Sequence, residues 1–228
     1  MRGPAPLSVE LEIAGAPVRA RADRALVWPG ARTVFIADLH LGKAATFRSA
    51  GIPVPESGTR EDLARLARII REEGAERLVI LGDLFHAKRG RTPAVAEAAA
   101  AWRAAHAALH IVLVRGNHDR SAGDPDAALG MEVVDNGSVM GPFALHHEPC
   151  AGSEHGYGLA GHIHPAVRLE DPLTGQTVRV PCFWFGAACA VVPAFGGFTG
   201  TGIVEPRTGD RVVALVGGGV VDISHRLV

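Results

Sequence analysis

Five short clusters of aspartate, asparagine and histidine could do chemistry together. They are Asp38-Leu39-His40, Gly82-Asp83-Leu84-Phe85-His86, Gly116-Asn117-His118-Asp119, His146-His147-Glu148 and Gly161-His162-Ile163-His164. Each follows an apolar run such as Thr33-Val34-Phe35-Ile36-Ala37 or Val79-Ile80-Leu81, so each falls where a strand opens into a loop. Imidazole nitrogen together with carboxylate oxygen suits Mn²⁺, Fe or Zn²⁺ better than Ca²⁺, which takes oxygen almost exclusively. Taken singly the clusters are ordinary: Gly-Asp is common in turns, and an isolated Asp-x-His is usually inert surface. Together they place seven of the chain's 11 histidines just after apolar runs. A carboxylate shared between two ions holds them roughly 3.5–4 Å apart, and Asp83, directly after Gly82, is the candidate for that role. Two ions so placed would act as Lewis acids, lower the pKa of bound water toward neutrality and offset charge on an anionic substrate.

The elements that must position these residues alternate through the first half of the chain. Short strands are expected over residues 7–28, then at 33–37. A short helix follows over 43–50, closed by Gly51, and a longer helix carries Leu63, Leu66, Ile69 and Ile70 at helical spacing. Thr59 and Asp62 resemble a capping box for that helix, and Gly74 is a fitting stop. A strand over 77–81 leads to Asp83, Thr92-Pro93 opens a helix reaching about Leu109, and a strand over 110–114 leads to Asn117. This is the parallel α/β pattern, with ligands gathered at the carboxyl ends of strands. Beyond residue 130 helical periodicity gives way to short strands and turns, at 132–134, 137–140, 143–146, 157–160, 166–169, 177–180, 183–192, 203–206 and 211–216. A second, mixed or antiparallel sheet packed on the first fits that change.

The totals limit the alternatives. The chain has 228 residues, of which 47% are hydrophobic and 21% charged, as expected of one globular domain spanning residues 1–228. A formal net charge of −1 gives no overall attraction to nucleic acid or membrane, so an anionic substrate would need metal or a local basic patch. Lys43, Lys88, Arg89 and Arg120 lie in or beside the motif loops and could form such a rim, as could Arg48, Arg91 and Arg115. Aromatic content of 5% limits stacking platforms, although Phe47 and Phe85 sit near motif loops. Cys150, Cys182 and Cys189 show no metal-binding spacing; so sparse a set favours reduced thiols and a cytoplasmic location. Residues 1–20 have no apolar core of a signal peptide. The uncharged run from Val180 to Phe198 is interrupted by Pro181, Gly186 and Pro193, so buried strands are expected there and no membrane span.

The order Asp-x-His, Gly-Asp-x-x-His, Gly-Asn-His-Asp, His, Gly-His-x-His resembles the calcineurin-like metallophosphoesterase superfamily. More closely, DLHLGKAATFRSAGIPVP (38–55), GDLFH (82–86), RGNHD (115–119), HHEP (146–149), GHIHP (161–165) and VPAFGGFTG (192–200) resemble the bacterial ligase-associated DNA-repair metallophosphoesterase family. The likeness covers most of the chain apart from about 20 residues at each end. It implies a four-layer αββα sandwich of two mixed β-sheets with helices on the outer faces. It also implies a manganese-dependent endonuclease on single-stranded DNA, with a ligase, an exonuclease and a helicase as repair partners. Carried over by position, one ion would be held by Asp38, His40, Asp83 and His164. The other would be held by Asp83, Asn117, His147 and His162, with His146 the alternative to His147. His118 would face the phosphate and protonate the leaving oxygen, Asp119 would orient its ring, and His86 would contact phosphate. His86 departs from the aspartate of many phosphatases, which points toward diesters. Hydrolysis of a small diester or pyrophosphate is the alternative. A non-catalytic scaffold, like the retromer subunit of similar fold, is disfavoured because the whole ligand set is present.

Overall fold

The computed structural model describes residues 5–55, 57–152, 154–170 and 174–226. A first sheet of seven strands runs in chain order: β1 (Ser8–Ile13), β2 (Ala16–Arg21), β3 (Leu26–Trp28), β4 (Thr33–Ile36), β5 (Arg77–Ile80), β6 (His110–Val114) and β7 (Glu132–Val134). The strands from β1 to β4 are antiparallel neighbours, and those from β4 to β7 are parallel. The parallel connections carry α1 (Lys43–Ser49), α2 (Gly58–Glu73), α3 (Pro93–Ala105) and the short α4 (Asn117–Ala122).

Strand alternation divides the central side chains between two cores. Val34, Ile36, Leu78, Ile80, Ile111 and Leu113 face the helices, packed with Leu63, Leu66 and Ile69 of α2 and with Val95 and Ala99 of α3. Phe35, Val79, Val112 and Val114 face the other way, onto Phe143, Leu145, Leu159, Phe183, Val192 and Val213. Being buried on both faces, β4, β5 and β6 read as nearly unbroken apolar runs. At about 25 cal/mol per Å² of apolar surface, these two cores dominate the favourable side of folding.

The second sheet contains β8 (Ser138–Met140), β9 (Phe143–Leu145), β10 (Tyr157–Ala160), β11 (Pro165–Glu170), β12 (Thr177–Phe185), β13 (Cys189–Val191), β14 (Gly202–Ile203), β15 (Arg211–Val216) and β16 (Gly219–Asp222). Its main path is β14-β11-β12-β13-β10-β9-β8, with β15 and β16 joined through β12. Parallel pairs (β9 with β10, β10 with β13) and antiparallel ones (β11 with β12, β12 with β15) make it mixed, as expected. Among the described residues the α-helical layer covers only the first sheet. The outer face of the second sheet carries a small apolar cluster of Val167, Val180, Cys182, Val212 and Ile223, bordered by the 3-10 turn Ser224–Arg226 rather than by an α-helix. The two mixed sheets with their helices are the expected sandwich, with the layer outside the second sheet supplied by this cluster and turn.

Several boundaries move for physical reasons. The expected strand over 183–192 is two strands, because the chain reverses at Gly186, whose N–H donates to Cys189 O at 3.0 Å. The strand over 203–206 shrinks to Gly202–Ile203, and β16 pairs with β15 where a glycine run had hidden it. Helix α3 stops at Ala105, and α2 begins at Gly58 with no capping box: Ser57 makes no side-chain cap, and Asp62 accepts instead from Gly197 N–H and from Arg65. The Gly74 stop is as expected, in the left-handed region with its N–H bonded to the carbonyls of Arg71 and Ile70. Among the described residues no helix is long and apolar enough to cross a membrane.

Candidate metal centre

The loops after β4 and β5 run side by side as an irregular continuation of the sheet. Asp38 N–H donates to Gly82 O (3.1 Å), His40 N–H to Asp83 O (2.9 Å) and Leu41 N–H to Leu84 O (2.8 Å). This ladder places Asp38, His40 and Asp83 together at the carboxyl edge, all buried. Eight non-glycine residues among those described have positive φ, and five of them are Asp38, His40, Asp83, His162 and His164. Backbone strain is thus concentrated where side chains must be aimed at a common point.

Two glycines let the loops close up. A Cβ on Gly82 would lie 2.0 Å from His147 Nδ1, and one on Gly116 would lie 2.2 Å from Asp83 Oδ1. With no Cβ there, β5, β6 and the segment after β9 can converge on one carboxylate. His147 then donates through Nδ1–H to Leu81 O (3.0 Å), while its Nε2 is 2.8 Å from Asn117 Oδ1 and 3.0 Å from His162 Nδ1.

Asp83 faces two ways. Its Oδ1 lies 3.5 Å from His147 Nε2, while its Oδ2 lies 4.0 Å from both His40 Nε2 and His118 Nε2. On the first side Asp83, His147 and His162 bring one donor atom each within 4.8 Å of one another; on the other, Asp38, His40 and His164 do the same. His164 Nε2 is 3.5 Å from Asp38 Oδ1, and its Nδ1 meets Gly200 O at 3.0 Å, which fixes the ring. Of the ambiguous pair, it is His147 that joins the centre; His146 is in neither group and leaves Nε2 buried without a hydrogen-bond partner.

The donor set fits divalent cations. Asp38 Oδ1 and His40 Nδ1 are buried and lack hydrogen-bond partners, a costly state that an ion would relieve. Burial, reinforced by Lys43 and neighbouring imidazoles, pushes the His40 pKa down to about 2; burial likewise lowers His162. Both are therefore neutral near pH 7, the form that ligates. Burial raises the Asp83 carboxyl to about 6 against the attraction of His147, so a neighbouring cation would stabilise its ionised form.

A third imidazole group, His40, His86 and His118, lies on the open side of this centre. The rings of His86 and His118 stack at 4.9 Å, and His118 Nδ1 is 2.6 Å from His86 O. That carbonyl orients His118. The expected role for Asp119 is corrected: its carboxylate accepts from the backbone N–H groups of Asp83 (2.8 Å), Gly116 (3.0 Å) and Phe85 (3.4 Å). Fully buried, Asp119 fastens two motif loops together and does not touch the His118 ring through any of these bonds.

The basic residues divide. Lys43 is half-buried beside Asp38 and Asp83, and burial lowers its pKa against their attraction. Lys88 and Arg89 stand exposed on the 3-10 turn after His86, and Arg89 helps burial and Lys43 to hold His86 down at about 4. Arg120 is exposed on α4. Arg115, by contrast, is engaged by Asp124 at 3.0 Å and Asp135 at 3.2 Å, and Arg91 by Asp126 at 3.2 Å. Phe85 is buried beneath the Arg91 guanidinium, so it offers no stacking face, whereas Phe47 lies 6.1 Å from the His86 ring.

Other contributors had little sequence signal. Asn136 Oδ1 accepts from His147 N–H at 2.6 Å, and its Asn-Gly dipeptide reads only as a turn. Arg24 donates to Ala194 O (3.2 Å) and Gly196 O (3.3 Å), and Arg65 to Phe195 O, holding the 194–197 loop whose Gly196 N–H meets Asp38 O at 3.1 Å.

A centre of this kind at the edge of two mixed sheets defines a class of metal-dependent phosphoester hydrolases. The chain belongs to the calcineurin-like phosphoesterase family, whose model matches residues 31–173, and the family uses divalent metals. Among solved structures it is similar to the nuclease MPE of Pseudomonas putida, at 40% identity and a TM-score of 0.82, covering 95% of this chain and 100% of that one. It is also similar to Yfce, a phosphoesterase from E. coli, at 17% identity and a TM-score of 0.40, covering 84% of this chain and 98% of that one. Among curated proteins no match is found.

Proposed function

We propose that the chain is a two-metal, manganese-dependent phosphodiesterase that cuts single-stranded DNA internally. The observation that carries the two-metal part is Asp83, whose two oxygens face separate donor groups. Asp38, His40, Asp83 and His164 would hold one ion, and Asp83, Asn117, His147 and His162 the other. When bound, the pair would supply Lewis acidity toward a phosphate and toward water. The similarity to a nuclease supports a polynucleotide substrate, and the exposed Lys88, Arg89 and Arg120 suit a phosphate backbone without reading bases. A repair setting with ligase, helicase and exonuclease partners rests on the family resemblance alone.

The protein's own groups account for positioning and proton transfer. With Nδ1 donating to His86 O, the His118 Nε2 is the atom left to meet the substrate, on the same side as Asp83 Oδ2. Protonated there, it would hand a proton to the leaving oxygen. Neutral His86, stacked beside it, would donate a hydrogen bond to a non-bridging oxygen without adding charge. Asp119 keeps the two loops in register.

Covalently closed single-stranded DNA circles, incubated with Mn²⁺ beside a small aryl phosphodiester, separate the readings, since circles offer no ends. The expected result is linearised circles, with His118→Ala cutting 10²–10⁴-fold more slowly at unchanged metal content. Hydrolysis of the small diester with circles left intact would overturn the nuclease reading.

A further inference from the structure

Away from the metal centre, two of the three cysteines meet. Cys150 is half-buried in the segment between β9 and β10, three residues after His147; buried Cys189 opens β13. Strands β10 and β13 are parallel neighbours in which Gly158 pairs with Cys189. A Cβ built on Gly158 would fall 2.4 Å from Cys150 Sγ and 2.8 Å from Cys189 Sγ. Both sulfurs therefore lie over one glycine, within about 5 Å of each other. The Cys189 thiol donates a long bond, to Ala190 O at 3.5 Å. Cys182 is elsewhere, in the apolar cluster outside the second sheet.

We propose that Cys150 and Cys189 form a site of reversible oxidation, closing to an intramolecular disulfide in the presence of a peroxide. Thiols can be packed simply as small apolar groups. Packing alone, however, does not require a missing side chain beneath them: any Cβ at Gly158 would drive the two sulfurs from their meeting point. A disulfide needs the sulfurs at about 2.05 Å, so closure requires the two side chains to rotate toward each other.

The order of events follows from access. Cys150 is the more open thiol, whereas Cys189 is 9% exposed and burial pushes its pKa up to about 12. Cys150 Sγ therefore attacks hydrogen peroxide first: an S–O bond forms, the O–O bond breaks, and one water leaves behind a sulfenic acid. Cys189 Sγ then attacks Cys150 Sγ; the S–S bond forms, the S–O bond breaks, and the thiol proton leaves with hydroxide as a second water. Two electrons pass from the sulfurs to the peroxide. The product would tie the segment after His147 to β13.

The test uses the full chain, reduced and then treated with hydrogen peroxide, with free thiols counted after denaturation. The expected result is a fall from three free thiols to one, a mass lower by about 2 Da, and a mapped 150–189 link in a monomeric product. Dithiothreitol should restore all three thiols, and the oxidised form should melt several degrees higher. Cys150→Ser, at a half-buried position, should retain both remaining thiols through mild treatment. Three thiols persisting, Cys150 passing to higher acids with Cys189 still free, or a link between two molecules would each overturn the proposal. None of these readouts depends on catalysis.

Discussion

Gly82→Ala tests whether convergence of the loops on one carboxylate is a packing requirement. The added methyl meets His147 at 2.0 Å from Nδ1, 2.5 Å from Cγ and 2.9 Å from Cβ, and His147 is 1% exposed. Its ring cannot swing aside without giving up Leu81 O at 3.0 Å and Asn117 Oδ1 at 2.8 Å. Two costs therefore add. Placing an L-residue at φ +84° costs ~1–2 kcal/mol, and overpacking a buried site costs ~1–3 kcal/mol more. Gly15→Ala isolates the first: Gly15 has φ +77° and nothing within 4 Å of an added Cβ. At ~2–4 °C per kcal/mol for a chain of this size, Gly15→Ala should lower the melting temperature by ~2–8 °C and Gly82→Ala by ~4–20 °C, the larger drop by several degrees in parallel scans. Metal analysis should show Gly82→Ala losing one of two ions, with Gly15→Ala unchanged. Equal melting shifts and a full metal complement in both variants would refute the reasoning.

Three further outcomes are expected. Asp119→Ala removes the acceptor for three buried backbone N–H groups and should cost ~3–5 kcal/mol in urea denaturation, with Asp119→Asn recovering part of it; a loss under ~1 kcal/mol would show that water or neighbours replace it. The metal-free protein should be acid-labile: His40 (about 2), His86 (about 4), His146 and His162 are all depressed by burial, so below pH ~6.5 the unfolded chain takes up protons that the folded one refuses. Asp83, raised to about 6, and Asp62, also raised by burial, act in the opposite sense just above the ordinary carboxylate range, but they are two groups against four; equal stability at pH 7.5 and pH 5 would contradict this balance. Replacing Lys88 and Arg89 by Ala together should reduce the slope of log affinity for single-stranded DNA against log salt by ~1.4, read by fluorescence anisotropy, whereas an unchanged slope would place the DNA elsewhere.

The metal centre was legible because each donor closes an apolar run, and buried parallel strands deliver their next residues to one edge. Local periodicity likewise sufficed for α2, and unbroken apolar runs sufficed for β4 to β6. What escaped depends on partners distant in the chain. Asp119 was given its neighbour's ring to orient, yet its acceptors' partners are amides of Asp83 and Phe85, 36 and 34 residues away. Asp62 looked like a helix cap and instead holds Gly197, 135 residues on. Capping and turn chemistry are read locally, so a polar side chain recruited by tertiary structure is assigned to the wrong task. That the α-helices among the described residues cover only the first sheet had no local signal either, since the outer face of β12 and β15 carries an apolar cluster of its own.

The left-handed backbone at Asp38, His40, Asp83, His162 and His164 has a bearing on how this molecule could change over time. Glycine would sit more comfortably at each of these bends, so relaxation of the fold and retention of its cations pull in opposite directions at the same five places. A descendant released from hydrolysis should drift toward glycine or asparagine there and melt at higher temperature without metal. Thermostability selection applied without an activity screen would be drawn to the same positions, and would arrive at an inert protein.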